Sequence, residues 1–136
     1  MASNDRAVAP ERTGWRDQGI SERHRRWGWN CPAVDLDFVM CEYDAGLPFA
    51  IVDYKCETAP PVRMSHPTMR ALRALGDRAK LPVFITIYSK EYTAWRVVAL
   101  NYLAEQRVPK PLDMGETEYV DFMLAIRGRR PNGELF

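Results

Sequence analysis

The sequence predicts an α/β protein in which a mixed β-sheet is flanked by α-helices. Two segments rich in β-forming residues, at 34–42 and 49–55, are separated by a short turn and predict a hairpin. A helical pattern at 67–80, followed by the apolar run 81–88, predicts a strand–helix–strand crossover, which joins parallel strands. The length of 136 residues fits one domain.

Composition excludes several classes of protein. Hydrophobic residues make up 46% of the chain and charged residues 27%, values typical of a globular domain and unlike those of collagen, disordered chains or coiled coils. No apolar run is long enough to span a membrane, and no apolar signal core opens the chain, which predicts a cytoplasmic protein without membrane contact. The three cysteines form no CxxC pair, which argues against a disulfide framework or a zinc site.

The N-terminal region is predicted to hold a flexible arm and one helix. Residues 1–14 are polar, show no hydrophobic period, and precede a single domain expected at 15–127. Asp17–Trp27 is predicted to be helical because its few apolar and aromatic residues recur at helical spacing. Residues 28–32 then interrupt regular structure.

The hairpin is predicted from its two strands and the turn between them. Val34–Glu42 partly alternates between apolar and polar residues, which is typical of a half-buried strand. Phe49–Lys55 is apolar at its start and charged at its end. Asp44–Pro48 contains glycine and proline, the residues that favour a turn.

A helix and an interior strand are predicted next. The prolines of Thr58–Pro61 exclude regular structure there, and Pro67 suits the first position of a helix that runs to Lys80. Leu81–Tyr88 is almost continuously apolar, as in a strand buried on both faces. Four apolar residues recur at helical spacing on the helix: Met69, Leu72, Leu75 and Ala79.

The last part of the chain is predicted to add one strand and one helix. Trp95–Asn101 alternates like a strand, and Pro109 and Pro111 interrupt the chain after it. Glu116–Ile126 places its apolar side chains on one helix face. A C-terminal tail is expected at 128–136, which makes the predicted order of elements αββαββα.

Charged residues gather at the end of the hairpin that is remote from its turn. Side chains two apart on a strand point the same way, so Asp53 and Lys55 share one face while Tyr54 points to the other. Asp35 and Asp37 likewise share a face of the preceding strand. If the strands pair as predicted, one of these acids lies beside the acid and the ammonium of the second strand.

Such a cluster suits a divalent metal ion. Burying a carboxylate costs on the order of several kcal/mol unless a cation compensates. Two carboxylates and a backbone carbonyl form the hard oxygen site that Mg²⁺ or Mn²⁺ prefers, and an adjacent ammonium can activate water or neutralise charge in a transition state. The alternative is a solvated cross-strand ion pair between Asp37 and Lys55, worth less than about 1 kcal/mol.

The pattern resembles the PD-(D/E)XK nuclease superfamily, which has the restriction-endonuclease-like fold. The matching text is VDLDFV at 34–39 and AIVDYK at 50–55, and it is most similar to the RecB-type branch. The resemblance covers residues 20–100. The glutamine that this branch carries on its later helix has no counterpart between His66 and Lys80.

The resemblance implies a metal-dependent nuclease that hydrolyses phosphodiester bonds in DNA with Mg²⁺, or Mn²⁺, as cofactor. The family places its first acid directly before an apolar triplet, which selects Asp37, with Asp35 as the alternative. Lys55 corresponds to the catalytic lysine. Many members also carry an acid on the N-terminal helix. The implied metal ligands are three carboxylates and one backbone carbonyl: Asp37, Asp53, Glu22 and Tyr54.

Basic and aromatic residues supply candidate contacts to nucleic acid. The net charge of +1 is too small to predict such binding from total charge. Arg63, Arg70 and Arg73 follow the hairpin and are predicted to contact the DNA backbone, unless they only solvate a helix face. Trp29 is predicted to stack on a nucleobase, or else to cover an edge of the core.

The predicted partner is DNA, either duplex or single-stranded. A domain of this size offers little surface for specificity, so a homodimer or a separate recognition subunit would extend it. The rival hypothesis is a catalytically inactive nuclease-like module that binds nucleic acid or a protein partner, for example in a phage or mobile-element system. Only the nuclease hypothesis requires a metal site built from carboxylates, and this requirement distinguishes the two hypotheses.

Overall fold

The structure is a computed structural model that divides the chain into two compact units, with the boundary between Ala33 and Val34. Within the described part of the chain, no helix combines the length and the apolar character needed to cross a membrane. The described residues are these: 18–28, 32–61 and 63–127.

The first unit contains the predicted N-terminal helix. Helix α1 spans Gln18–Trp27, which confirms the prediction over these residues; Asp17 lies outside the described residues. The ring of His24 lies edge-on to Trp27, with 4.8 Å between ring centroids. The predicted arm at 1–14 and the predicted tail at 128–136 lie outside the described residues.

The second unit is built on a five-stranded mixed sheet, in which each strand pairs with the next along the chain. β2 and β3 run parallel, whereas β1–β2, β3–β4 and β4–β5 are antiparallel. This topology confirms the predicted hairpin, the crossover and the mixed sheet. The strands have these bounds: β1 Phe38–Glu42, β2 Leu47–Cys56, β3 Val83–Tyr88, β4 Trp95–Ala99 and β5 Leu112–Met114.

Three helices accompany this sheet in the second unit: α2 Pro67–Ala79, α3 Tyr102–Glu105 and α4 Glu116–Ile126. α2 and α4 confirm the predicted helices. α3 and β5 lie where the sequence indicated only an interruption by prolines. The order of elements along the chain is therefore αββαββαβα, and the predicted order αββαββα lacked these two short elements.

The hairpin is shorter at its open end than predicted, because β1 begins at Phe38 and not at Val34. Phe38 pairs with Val52, and the ladder continues past a bulge to the turn. Beyond that pair, the backbone N–H of Tyr54 donates to the side chain of Asp37, at 3.1 Å from Oδ2. A carboxylate thus takes the place of a strand carbonyl, and the ladder ends there.

Helix α2 is capped at both ends. His66 precedes it, and the Nδ1 atom of that residue accepts a hydrogen bond of 3.1 Å from the Thr68 N–H. After the last turn Lys80 adopts a left-handed conformation with φ of 59°. The Leu81 N–H then donates to the Gly76 carbonyl at 2.9 Å, which completes a Schellman motif.

The buried face of α2 differs from the face that the apolar residues predicted. Met69 and Leu72 are buried as expected, but Leu75 is 45% exposed. The third buried position is Gly76. α2 approaches β3 so closely that a methyl group at this glycine would overlap Cγ2 of Val83.

We expect Gly76→Ala to lower the free energy of unfolding by about 1–3 kcal/mol, because the added methyl group forces α2 away from β3. The gain in helix propensity, up to about 1 kcal/mol, does not offset this overlap. Urea unfolding measures the change. Leu75→Ala on the exposed side of the same helix is the control, with a change of at most about 0.5 kcal/mol. Equal stability of Gly76→Ala and the wild type would contradict the close approach.

The two faces of the sheet carry separate hydrophobic cores. Because side chains alternate along β2, Val52 and Tyr54 face α4, whereas Ile51 and Asp53 face α2. The core under α4 includes Ala50, Val52, Phe84, Val97, Tyr119 and Met123. The core under α2 includes Ile51, Met69, Leu72, Val83, Ile85 and Leu100.

Candidate metal centre

The hairpin brings two carboxyl groups together. Asp37 directly precedes β1, and the pairing of Phe38 with Val52 places it opposite Asp53 on β2. The Tyr54 N–H holds Oδ2 of Asp37 at 3.1 Å. Besides burial, the negative charge of Asp37 acts on Asp53 and raises the pKa of its carboxyl group. Two acids from neighbouring strands thus lie near each other in the fold.

Asp53 is buried in an arrangement that leaves one oxygen unsatisfied. The residue is 3% exposed, and its Oδ2 atom accepts no hydrogen bond. Nζ of Lys55 lies 3.3 Å from this oxygen, at ion-pair distance but without hydrogen-bond geometry. An ion pair without a hydrogen bond compensates the burial of this oxygen only in part, so the arrangement is less favourable for folding than a fully hydrogen-bonded one.

The surroundings of Asp53 raise the pKa of its carboxyl group. Burial raises the pKa of Asp53 above its usual value, and the hydrogen bond and negative charge of Asp37 raise it further. The Lys55 ammonium lowers the pKa but does not reverse the shift. A second positive charge near the two carboxyl groups would therefore favour their ionised form.

The donor set fits a hard divalent cation. Among the described residues no group of three or more His, Cys, Asp and Glu side chains is arranged to hold a metal ion, so Asp37 and Asp53 contribute as a pair. Mg²⁺ commonly binds one or two carboxylates and keeps several water ligands. The oxygen of Asp53 that lacks a hydrogen bond is the kind of atom that such an ion would satisfy.

Lys55 connects the carboxylates to a neighbouring cleft of about 430 Å³. Its side chain is 37% exposed. The cleft lies between the loop that follows β2 and the first turn of α2, where His66 and Thr68 line it. Lys55 therefore pairs with Asp53 and also lines the cleft.

Tyr54 anchors the site from the opposite face of the sheet. Its hydroxyl group lies 2.7 Å from the hydroxyl of Tyr119 on α4, which in turn lies 3.1 Å from Oγ1 of Thr86. Burial raises the pKa of Tyr54 and of Tyr119, so both phenols stay protonated at neutral pH. Sequence reasoning missed this chain of hydroxyl groups. Thr86, a polar residue inside the apolar run, was the available signal for it.

The other two predicted acids, Asp35 and Glu22, are exposed residues. Asp37 is the acid in contact with Asp53, while Asp35 is exposed on the segment before β1. Glu22 is an exposed residue of α1 in the first unit. The contact between Asp37 and Asp53 is formed within the second unit alone.

The predicted nucleic-acid contacts also differ in their placement. Arg63 lines the cleft beside Lys55, and Arg70 is exposed on α2. Nε of Arg73 donates to the Leu100 carbonyl at 3.0 Å, so this guanidinium has a structural partner. Trp29 lies outside the described residues.

Comparison with known proteins assigns no family: no family model matches the sequence, and neither a curated protein nor a solved structure does. Function is therefore inferred from the residues of the site and their geometry.

Proposed function

We propose that the protein is a metal-dependent nuclease that hydrolyses phosphodiester bonds in DNA, with Mg²⁺ or Mn²⁺ as its cofactor. The observation that carries the proposal is the buried Asp53, whose unsatisfied oxygen lies beside a second carboxyl group and an ammonium. The similarity of the hairpin residues to the PD-(D/E)XK superfamily supports this reaction class.

The residues have separate roles in the proposed reaction. Asp37 and Asp53 bind the cation, and the backbone carbonyl of Tyr54 assists them. The bound cation supplies Lewis acidity toward the phosphate and lowers the pKa of a water molecule. Lys55 orients the attacking water and neutralises the negative charge that develops on the phosphate in the transition state.

A simple surface ion pair accounts less well for these contacts. An exposed pair contributes about 0–1 kcal/mol, and such a pair has no need to bury its acid. Asp53 is nearly fully buried beside another acid, and its contact with Lys55 lacks hydrogen-bond geometry. Selection for stability alone would favour a neutral residue at this position, whereas a cation-binding role requires the carboxylate.

Lys55→Ala should reduce Mg²⁺-dependent cleavage of plasmid DNA by about a hundredfold or more, because the ammonium no longer stabilises the transition state. Circular dichroism should show an unchanged fold, since the Lys55 side chain is only partly buried. Lys110→Ala, which alters an exposed lysine between α3 and β5, is the matched control and should cleave normally. Unchanged cleavage by folded Lys55→Ala would contradict the catalytic assignment.

Titration with Mn²⁺ by calorimetry separates a catalyst from a binding module. The nuclease proposal expects a binding site that Lys55→Ala retains and that loss of either carboxylate removes. An inactive module would bind nucleic acid without the metal and would show no cleavage under any metal condition.

A further inference from the structure

The cleft beside Lys55 has the size of a binding site. Its volume of about 430 Å³ falls in the lower part of the range for ligand pockets, about 300–1,000 Å³. Pro60 and Pro61 form part of its wall, and proline rings restrict the backbone there. On the other side, α2 is held in place by its buried face and by the His66 cap. The proline rings and the packing of α2 thus restrict the residues that line the cleft on its two sides.

The walls of this cleft are mostly apolar. Ala59, Pro60 and Pro61 line it from the loop, and Met69 lines it from α2. Met69 is 3% exposed and belongs to the core under α2, so its position is fixed by packing. Apolar walls of this kind can bury the apolar faces of a planar ring system.

Two cations complete the lining. Lys55 and Arg63 both contribute to the cleft, and Lys55 is also the residue in contact with Asp53. An occupant of the cleft therefore lies next to any group bound at the two carboxylates. For a polynucleotide whose phosphodiester lies at the carboxylates, that occupant is the adjoining nucleotide.

We infer that the cleft receives one unpaired nucleotide next to the scissile phosphodiester, and that the substrate is single-stranded DNA; this inference rests on the proposed function. In a duplex the faces of each base are covered by stacking, and only the base edges and the phosphates are accessible. An unpaired base exposes its faces, which the apolar walls can contact. The two cations then face the phosphates on either side of that nucleotide.

Fluorescence anisotropy tests the inference with a labelled single-stranded DNA 20-mer and the blunt duplex of the same sequence, both in EDTA. We expect the single strand to bind about tenfold more tightly or better, because only an unpaired base can bury its faces against the apolar walls of the cleft. Ala59→Leu fills the cleft from its loop and should weaken single-strand binding about tenfold, with little effect on the duplex. Ala125→Leu, which alters an exposed residue of α4 on the opposite face of the sheet, is the matched control and should change neither affinity.

Two results would overturn the inference: equal affinity of the wild type for the two DNA forms, or unchanged single-strand affinity in folded Ala59→Leu. If Ala59→Leu does not fold, Arg63→Ala replaces it in the test. Arg63 is exposed, so its truncation should leave the fold intact. A larger loss of affinity for the single strand than for the duplex supports the inference, and equal losses of affinity overturn it.

The experiment keeps this inference distinct from the proposed function. Binding in EDTA does not require the metal centre. Selective single-strand binding without any Mg²⁺-dependent cleavage would refute the nuclease proposal and leave the nucleotide cleft in place. Cleavage of single-stranded and duplex DNA at equal rates, with equal affinities, would refute the cleft and leave the nuclease.

Discussion

Asp53→Asn is expected to make the metal-free protein more stable and, at the same time, to abolish its Mn²⁺ binding and its cleavage of DNA. The substitution removes a buried negative charge beside Asp37 and provides an amide that can donate to that carboxylate. We expect the free energy of unfolding in EDTA to rise by about 1–2 kcal/mol. The loss of the partly exposed ion pair with Lys55 offsets only a small part of this gain.

The gain in stability should depend on pH in a defined direction. Burial and Asp37 raise the pKa of Asp53 in the folded state above its usual value of 3.8. A raised folded-state pKa stabilises the fold at low pH, and this contribution is lost as the pH rises through the folded-state value. The difference between Asp53→Asn and the wild type should thus be small near pH 4 and larger at neutral pH.

Urea unfolding in EDTA across this pH range measures the effect, and calorimetry measures Mn²⁺ binding. Asp113→Asn is the control, because Asp113 is an exposed acid that pairs with Arg96 at 2.7 Å. That substitution should not increase stability and should leave Mn²⁺ affinity unchanged. A less stable Asp53→Asn protein that still binds Mn²⁺ would show that the carboxylate is structural.

Asn101→Leu is expected to cause the largest loss of stability of any single substitution proposed for this protein. Asn101 is 3% exposed, and its Oδ1 atom accepts hydrogen bonds from the N–H groups of Val83 and Ala104, at 3.0 and 3.1 Å. Its Nδ2 atom donates to the Leu81 carbonyl at 2.8 Å and to Oδ1 of Asp77 at 3.1 Å. Leucine has a similar volume but satisfies none of these groups.

Each buried donor or acceptor that loses its partner costs about 1–3 kcal/mol, so we expect a total loss of about 3–5 kcal/mol. Thermal and urea unfolding measure this loss. Asn101→Asp keeps both accepted hydrogen bonds but turns a buried carboxylate oxygen toward the Leu81 carbonyl and the Asp77 carboxylate, so it should be no more stable than Asn101→Leu. A loss of less than about 1 kcal/mol in Asn101→Leu would contradict the role of these hydrogen bonds.

Side-chain alternation made the centre of the site predictable. Asp53 and Lys55 share a face of β2 because they are two residues apart, and the short turn restricts the pairing of β1 and β2. The contact between Asp37 and Asp53 follows from that register. These are local rules, and they need no knowledge of the rest of the fold.

Features that depend on tertiary packing were not predictable in the same way. α3 has four residues and β5 has three, too few for a helical or strand period to be recognised. Gly76 occupies a buried helix position because β3 approaches it, and a pattern of apolar residues assigns that role to Leu75 instead. The hydroxyl contact between Tyr54 and Tyr119 requires α4 to lie on that face of the sheet.

The bulge in the hairpin has a practical consequence for engineering the protein. It lies between Met40 and Cys41, and it separates the turn at residues 43–46 from the strand ends that carry the two acids. The ladder is locally disrupted at a bulge, so the pairs on its two sides do not form one continuous register. The exposed turn is the place to insert a reporter peptide or an immobilisation tag, because it lies on the far side of the bulge from the carboxylates.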